Sequence, residues 1–193
     1  ISIDKDAVLR SGIMLPDSIR HLKGKELKNA IPDKIYISLK DMRILTKVDM
    51  LMLEMLANCN WERPLYMAIS VGEVSKLKFD HYFVQEGLAF RFTPFDYKKW
   101  GNVKGDNNYA IDVERLYENV MNRYKYGGLD TPGLYLDETT LRTCYYHRRL
   151  FAQLAKELIR QGDNTRARKV LAYAEQAVPA YNVPEIYESG SFD

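Results

Sequence analysis

The stretch from Asn60 to Ser70, NWERPLYMAIS, places an aromatic, an acidic and a basic side chain directly before a proline. An aromatic ring beside a carboxylate and a guanidinium is a combination that binds ligands by stacking and by charge-assisted hydrogen bonds. The same residues also suit a turn between a helix and a strand, because Pro64 disfavours helix at Arg63 and Trp61 can cover the edge of a core. Local physics alone favours a corner of the fold over a binding site.

The other residue types that carry chemistry do not combine into a reaction centre. His21, His81 and His147 lie far apart, without the spacing of metal ligands. The sequence has no glycine-rich phosphate loop and no G-x-S-x-G nucleophile motif. The adjacent carboxylates Asp137 and Glu138 precede a helical pattern, where negative charge is favourable against the helix dipole. We therefore expect no metal, no cofactor and no catalytic residue within the chain, which leaves open whether it belongs to an enzyme.

The charge is unevenly distributed along the chain. The net charge is +2, but residues 140–169 carry eight basic residues and two acidic ones, which leaves that segment at +6 and the rest at −4. Such a segment can meet phosphate, anionic lipid or an acidic protein, although solvated helix faces often carry similar charge. A nucleic acid is not an expected partner, because no nucleic-acid-binding motif accompanies the basic residues. Cys59 and Cys144 are expected to be thiols rather than a disulfide.

The first half of the chain predicts a small sheet. Residues 34–39 and 64–70 alternate apolar and polar side chains, as half-buried strands do. Between them, Thr46 and Asp49 resemble a capping box, followed by apolar residues at helical spacing to about residue 57. A strand, a helix and a strand in this order predict a β-α-β unit with a right-handed crossover. A third strand is expected at 88–93, an exposed loop at 96–110, and irregular structure with one short helix before residue 34.

The second half is helical in pattern. Helices are predicted from Asp112 to about residue 124, from 137 to 161, and from 165 to 178. The last two carry the tetratricopeptide pattern, in which small residues let antiparallel helices approach closely and large ones fill the gaps: Phe151, Leu154, Ala155, Leu158, Ala167, Leu171, Ala174 and Pro179. A single repeat must stack on neighbouring helices, because it cannot bury both of its faces alone.

These patterns together predict an α+β fold with two parts. Residues 1–110 form an α+β subdomain around a small sheet containing the β-α-β unit, with strands near 34–39, 64–70 and 88–93. Residues 111–193 form a helical subdomain that includes a tetratricopeptide-like hairpin. No run approaches the ~18 apolar residues of a membrane span, so we expect this chain not to cross a bilayer itself. Its start at Ile1 rather than Met suggests a piece of a longer protein.

Three blocks of sequence resemble one known family. They are DMLMLEMLANCNWERPLYMAISVG (49–72), YFVQEGLAFRFTP (82–94) and YLDETTLRTCYYHRRLFAQLA (135–155). In this order and spacing they resemble the soluble C-terminal region of large bacterial multi-pass membrane proteins, a family of formerly unknown function that is similar to protein O-mannosyltransferases. The resemblance covers most of the chain from about residue 34. The family usually has asparagine where this chain has Cys59, which argues against a structural disulfide at that position.

The resemblance implies a place and a role for the chain. It would be a non-catalytic, extracytoplasmic domain of a glycosyltransferase-like protein, on the periplasmic side of a bacterial inner membrane. Its expected partners are its own N-terminal membrane domain, which would hold the catalytic acid, and an acceptor protein or peptide, so that its role is acceptor recognition or scaffolding. The alternative is a tetratricopeptide-like interaction module unrelated to glycosylation. The candidate binding surface comprises Trp61, Glu62, Arg63, Tyr66, Glu86, Arg91, Arg148 and Arg149.

Overall fold

The structure, a computed structural model, describes residues 1–37, 44–59, 61–71, 80–101 and 109–184. The chain divides into two units, Ile1–Asp112 and Val113–Asp193. The first contains a four-stranded sheet with short helices, and the second contains helices that include a hairpin. The predicted α+β class is confirmed.

The described residues of the first unit contain three α-helices. They are α1 (Lys5–Arg10), α2 (Gly24–Ala30) and α3 (Lys47–Asn58), so the segment before residue 34 holds two short helices rather than one. The capping box predicted for α3 is present. The Asp49 amide donates to Thr46 Oγ1 at 3.2 Å, and Asp49 Oδ2 accepts from the Thr46 amide at 2.9 Å. These two bonds satisfy donors that a helix N-terminus otherwise leaves without partners.

The apolar residues of α3 point in two directions. Leu56 is buried, whereas Val48, Leu51 and Met55 are exposed, with Leu51 at 61 %. Helical spacing correctly predicts the helix, but it does not predict which stripe of the helix reaches the core.

The sheet consists of β1 (Tyr66–Ala68), β2 (Phe83–Gln85), β3 (Ala89–Phe92) and β4 (Ala110–Ile111), in the order β1-β3-β2-β4. Strand β3 pairs antiparallel with β1 and β2, and β4 pairs parallel with β2. Strands β1 and β3 lie within predicted strands. Strands β2 and β4 were not predicted, because they are three and two residues long and carry too little periodicity to recognise.

The predicted strand at 34–39 differs from the structure in its described part. Lys34 forms one antiparallel bridge with Ser2 and the Ile35 amide donates to the Ile1 carbonyl at 2.8 Å, so this segment pairs with the N-terminus and not with the four-stranded sheet. Residues 38 and 39 lie outside the described residues. Ile35 is buried and Tyr36 is exposed, as the alternation predicts. The described residues do not, however, form the predicted β-α-β crossover.

The segment after β3 is buried where an exposed loop was predicted. Phe95 and Tyr97 have no exposed surface, and the Tyr97 hydroxyl donates to the Met14 carbonyl. Burial raises the pKa of that phenol, so it stays a neutral donor. The prediction of an exposed loop at 96–110 was wrong at Asp96 and Tyr97, because the polar composition of the whole stretch obscured one aromatic residue that packs into the core. Residues 102–108 of that predicted loop lie outside the described residues.

The second unit begins with α4 (Val113–Glu118), which continues into a π-helical turn at Asn119–Arg123. The long helix α5 (Glu138–Arg160) and α6 (Asn164–Ala177) follow and pack against each other. Asp137 caps α5 by accepting from the Thr139 and Thr140 amides at 3.0 and 3.1 Å. The hydrogen bond from the Thr140 hydroxyl, together with these amide bonds, lowers the pKa of the Asp137 carboxyl group. The expected role of Asp137 at a helix start is confirmed.

The helical hairpin follows the tetratricopeptide template on its inner face. Six of the eight template residues are buried: Phe151, Leu154, Ala155, Leu158, Ala167 and Pro179. Leu171 is 48 % exposed, although the template gives its position a large packing residue. The hairpin therefore buries the face between its helices and leaves an outer apolar position open.

Trp61 lies in the core cluster of the first unit and is 5 % exposed, which makes its role in stability testable. Trp61→Ala is expected to lower the free energy of unfolding by about 3–5 kcal/mol, because it removes a large buried ring. The measurement is urea denaturation followed by the fluorescence of Trp100, the second of the chain's two tryptophans. Tyr36→Ala, at an aromatic side chain that is 82 % exposed, is the control and should change the value by less than about 0.5 kcal/mol. Unchanged stability combined with loss of ligand binding would instead make Trp61 a contact residue.

Candidate functional site

The corner between α3 and β1 is built around a tryptophan with unusual backbone geometry. Trp61 has φ of +62°, a left-handed conformation that non-glycine residues seldom adopt. Its indole N–H donates to the Ser2 carbonyl at 3.0 Å, and its ring stacks on Phe92 with centroids 5.5 Å apart. These contacts hold the backbone in its costly conformation and turn the chain from the helix into the sheet.

A small cleft opens beside this corner. Its volume is about 10 Å³, roughly what one water molecule requires. Two arginines line it with one thiol-bearing residue and a set of apolar residues: Ile13, Cys59, Trp61, Arg63, Pro64, Leu65, Arg91 and Phe92. Within this lining the sequence had singled out Trp61, Arg63 and Arg91. Cys59, Pro64 and Leu65 were identifiable as their chain neighbours, but no local signal pointed to Ile13 or Phe92.

Behind the cleft, sheet register brings three of the candidate residues together. Tyr66 of β1 lies directly opposite Arg91 of β3, and the Arg91 guanidinium lies 6.0 Å from the centre of the Tyr66 ring. The Tyr66 hydroxyl donates to Glu86 Oε2 at 2.9 Å, while Glu86 Oε1 lies 3.6 Å from Arg91 Nη1. Cross-strand neighbours of this kind interact directly, so the register positions the whole cluster.

Arg91 is 3 % exposed and Glu86 is 6 % exposed, so their charges are withdrawn from water. Arg91 Nη2 also donates to the Ser11 carbonyl at 2.7 Å, which connects the sheet to the end of α1. Within the described part of the chain, Arg91 Nε has no hydrogen-bond partner. A buried guanidinium needs its bonds and its counter-charge, so this arrangement fixes Arg91 in place.

Glu62 and Arg63 complete the surface side of the corner, and both are exposed. Among the described residues no ion-pair partner is found for Arg63, although it lines the cleft. The cleft is therefore lined by one buried arginine, whose guanidinium is held in place, and by one exposed arginine. Such an arrangement suits a small anionic or hydroxyl-bearing group, which can accept hydrogen bonds from both.

The remaining two candidates belong to the second unit. Arg148 Nη2 donates to the Val178 carbonyl at 2.9 Å, where it satisfies the C-terminal end of α6. Arg149, the next residue, is exposed. The structure thus gives Arg148 a structural contact within its own unit and leaves Arg149 on the surface.

An aromatic cluster around His147, the neighbour of Arg148 in the chain, was not predicted from the sequence. The His147 ring lies 5.2 Å from Tyr126 and 6.0 Å from Tyr124, and Tyr126 also packs on Tyr173 with centroids 6.0 Å apart. Burial lowers the pKa of His147, which keeps the ring neutral near pH 7. These residues come from three separate segments, so spacing along the chain gave no sign of their association.

Within the described residues, no three histidine, cysteine, aspartate or glutamate side chains are grouped so as to hold a metal ion. In the same part of the chain, no helix combines the length and the apolar character needed to cross a bilayer. The chemistry that the cleft offers is hydrogen bonding and charge, supplied by Arg63 and Arg91.

Glu86 is expected to be the counter-charge that makes the buried Arg91 tolerable. Glu86→Gln should lower the free energy of unfolding by about 3 kcal/mol, because it removes one partner of a buried ion pair and leaves the guanidinium charge uncompensated. The measurement is urea denaturation, with the exposed Glu62→Gln as a matched control expected to change stability by less than about 0.5 kcal/mol. Equal stabilities for the two variants would show that Glu86 does not serve this role.

Comparison with known proteins gives one family. Residues 1–114 match the family model described as TMEM260-associated domain 2, a span that includes the whole first unit and the cleft. A search of the curated proteins and a search of the solved structures found no match. The match covers the first two of the three sequence blocks and ends before the third. The chain belongs to the TMEM260-associated domain 2 family.

Proposed function

We propose that the chain is a non-catalytic accessory domain of a TMEM260-like membrane protein and that it takes part in recognising the acceptor of glycosyl transfer. The observation that carries this proposal is the family match over residues 1–114, and the resemblance to O-mannosyltransferase-like proteins supports the link to glycosyl transfer. Under this proposal the transfer reaction takes place in the membrane domain of the same polypeptide, and the chain contributes binding or scaffolding.

The cleft beside Trp61 is the acceptor-contacting part in this proposal. Its two guanidinium groups can bind a side-chain carboxylate or the hydroxyl groups of a sugar through charge-assisted hydrogen bonds. Arg91 is held by Glu86, Tyr66 and the Ser11 carbonyl, so little conformational entropy is lost when it binds. The volume admits a group of about the size of one water molecule, so the partner would place a single carboxylate or hydroxyl oxygen in the cleft.

The proposed location is the extracytoplasmic side of a membrane, which for a bacterial protein is the periplasmic face of the inner membrane. The family name supports a membrane-protein context, and the resemblance of residues 49–72 and 82–94 to a bacterial family supports the bacterial setting. The nearest partner would then be the membrane domain encoded on the N-terminal side.

The coding sequence upstream of Ile1 provides a direct test of this context. We expect it to encode several apolar stretches of about 20 residues each, the length that spans a bilayer. A leader without any such stretch would contradict the proposed membrane protein.

The role of the cleft can be tested in the full-length protein in its own cells. Arg63→Glu is expected to lower the occupancy of O-linked hexose on extracytoplasmic proteins by about tenfold, because a charge-assisted hydrogen bond to the acceptor is lost. Mass spectrometry of glycopeptides measures the occupancy. Arg10→Glu, at another exposed arginine of the first unit, is the matched control and should have no effect. Wild-type occupancy at wild-type protein levels in Arg63→Glu would contradict a role for the cleft.

The second candidate is an interaction module built on the helical hairpin and unrelated to glycosylation. It is favoured by the exposure of Leu171 on the outer face of α6, where the repeat template places a packing residue. This alternative predicts that glycosylation is unaffected by Arg63→Glu and that the upstream sequence lacks membrane spans.

A further inference from the structure

Helix α3 carries an apolar stripe that faces away from the core of its unit. Val48, Leu51 and Met55 are spaced i, i+3 and i+7, so they lie in line along one side of the helix. Their exposed fractions are 42, 61 and 48 %, while Asp49 and Leu56 on the opposite side are buried. Large apolar side chains aligned in this way are unusual on a free surface and mark a contact face.

Two opposite charges flank this stripe on the same side. Lys47 and Glu54 are seven residues apart, two helical turns, and both are exposed. Among the described residues no ion pair of Lys47 is found, and the Glu54 carboxylate accepts from the Asn58 side-chain amide at 2.8 Å. That bond holds the Glu54 carboxylate near the helix surface.

This pattern is complementary to itself under a two-fold rotation. If two copies of α3 pack antiparallel along their stripes, Val48 of one lies against Leu51 of the other, near the two-fold axis. Lys47 of each copy then lies within reach of Glu54 of the other, which gives two ion pairs. An isologous dimer requires such reciprocity between the residues of one patch.

We propose that the exposed stripe of α3 is a self-association surface and that its occupant is α3 of a second copy of this chain. The charges distinguish this occupant from a lipid surface, because interfacial helices carry an excess of Lys and Arg and the exposed charges of α3 cancel. The inference rests on α3 alone and does not depend on the proposed function. A contact of one three-turn helix is smaller than the ~1,200 Å² buried by stable complexes, so the dimer is weak and concentration-dependent.

Sedimentation equilibrium of the chain over a range of concentrations tests the proposal. The wild-type chain should be in monomer–dimer equilibrium, and Leu51→Lys should weaken dimerisation by about a hundredfold, because each dimer buries two copies of this side chain. Leu134→Lys, at an exposed leucine of the segment before α5, is the matched control and should leave the equilibrium unchanged. Circular dichroism and thermal melting confirm that each variant is folded.

Charge reversal identifies the antiparallel arrangement. Lys47→Glu and Glu54→Lys should each weaken dimerisation by about tenfold, because each replaces two attractive pairs by two repulsive ones. Mixing the two variants should restore association, as should the double variant, since both combinations re-form two opposite-charge pairs. A monomer at every concentration overturns the proposal. So does a dimer that is insensitive to these substitutions, or binding of the wild-type chain to phosphatidylglycerol vesicles without dimerisation.

Discussion

The first unit depends on the buried charge of Arg91. Its strand, β3, is internal to the sheet, and its guanidinium reaches Tyr66 on β1, Glu86 after β2 and the Ser11 carbonyl after α1. A positive charge in a core is costly unless every neighbour is correctly placed. The contacts of Arg91 therefore fix β1, β3 and the N-terminal segment relative to one another, and they are maintained only while the ion pair with Glu86 is intact. Arg91 also lines the cleft, so the cleft is bordered by a residue that these contacts hold in place.

Trp61 also connects separate segments of the first unit, through ring packing and a hydrogen bond rather than through charge. Its ring packs on Phe92 and its indole N–H satisfies the Ser2 carbonyl, so it joins the N-terminus, the corner and the sheet. The primary role of Trp61 is therefore structural. The groups that remain accessible at the corner are Glu62 and Arg63, and binding at this corner would fall to them together with the lining of the cleft.

Much of the local structure was predictable because it depends on short-range interactions. The capping box at Thr46 and Asp49 and the helix start at Asp137 follow from side chains that bond to amides two or three residues away. Strands β1 and β3 were predictable from the alternation of side chains between the two faces of each strand. Strand β4 was not predictable, because two residues show no period and because its partners, Val84 and Gln85, lie far away along the chain. The burial of Tyr97 and the aromatic group around His147 were also beyond prediction, because their partners lie far away along the chain.

The sequence by itself determined the α+β class, the helices with their caps, the hairpin pattern and the candidate residues at the corner. Those properties reside in spacing and residue type over a few positions. Only the tertiary structure decided that Arg91 and Glu86 are buried partners, that Arg148 bonds to the end of α6 and that Val48, Leu51 and Met55 face outwards. The physical reason is that a helix with apolar residues on two sides can bury either one. Which side is buried depends on which side the rest of the chain covers, and a local sequence pattern contains no information about that.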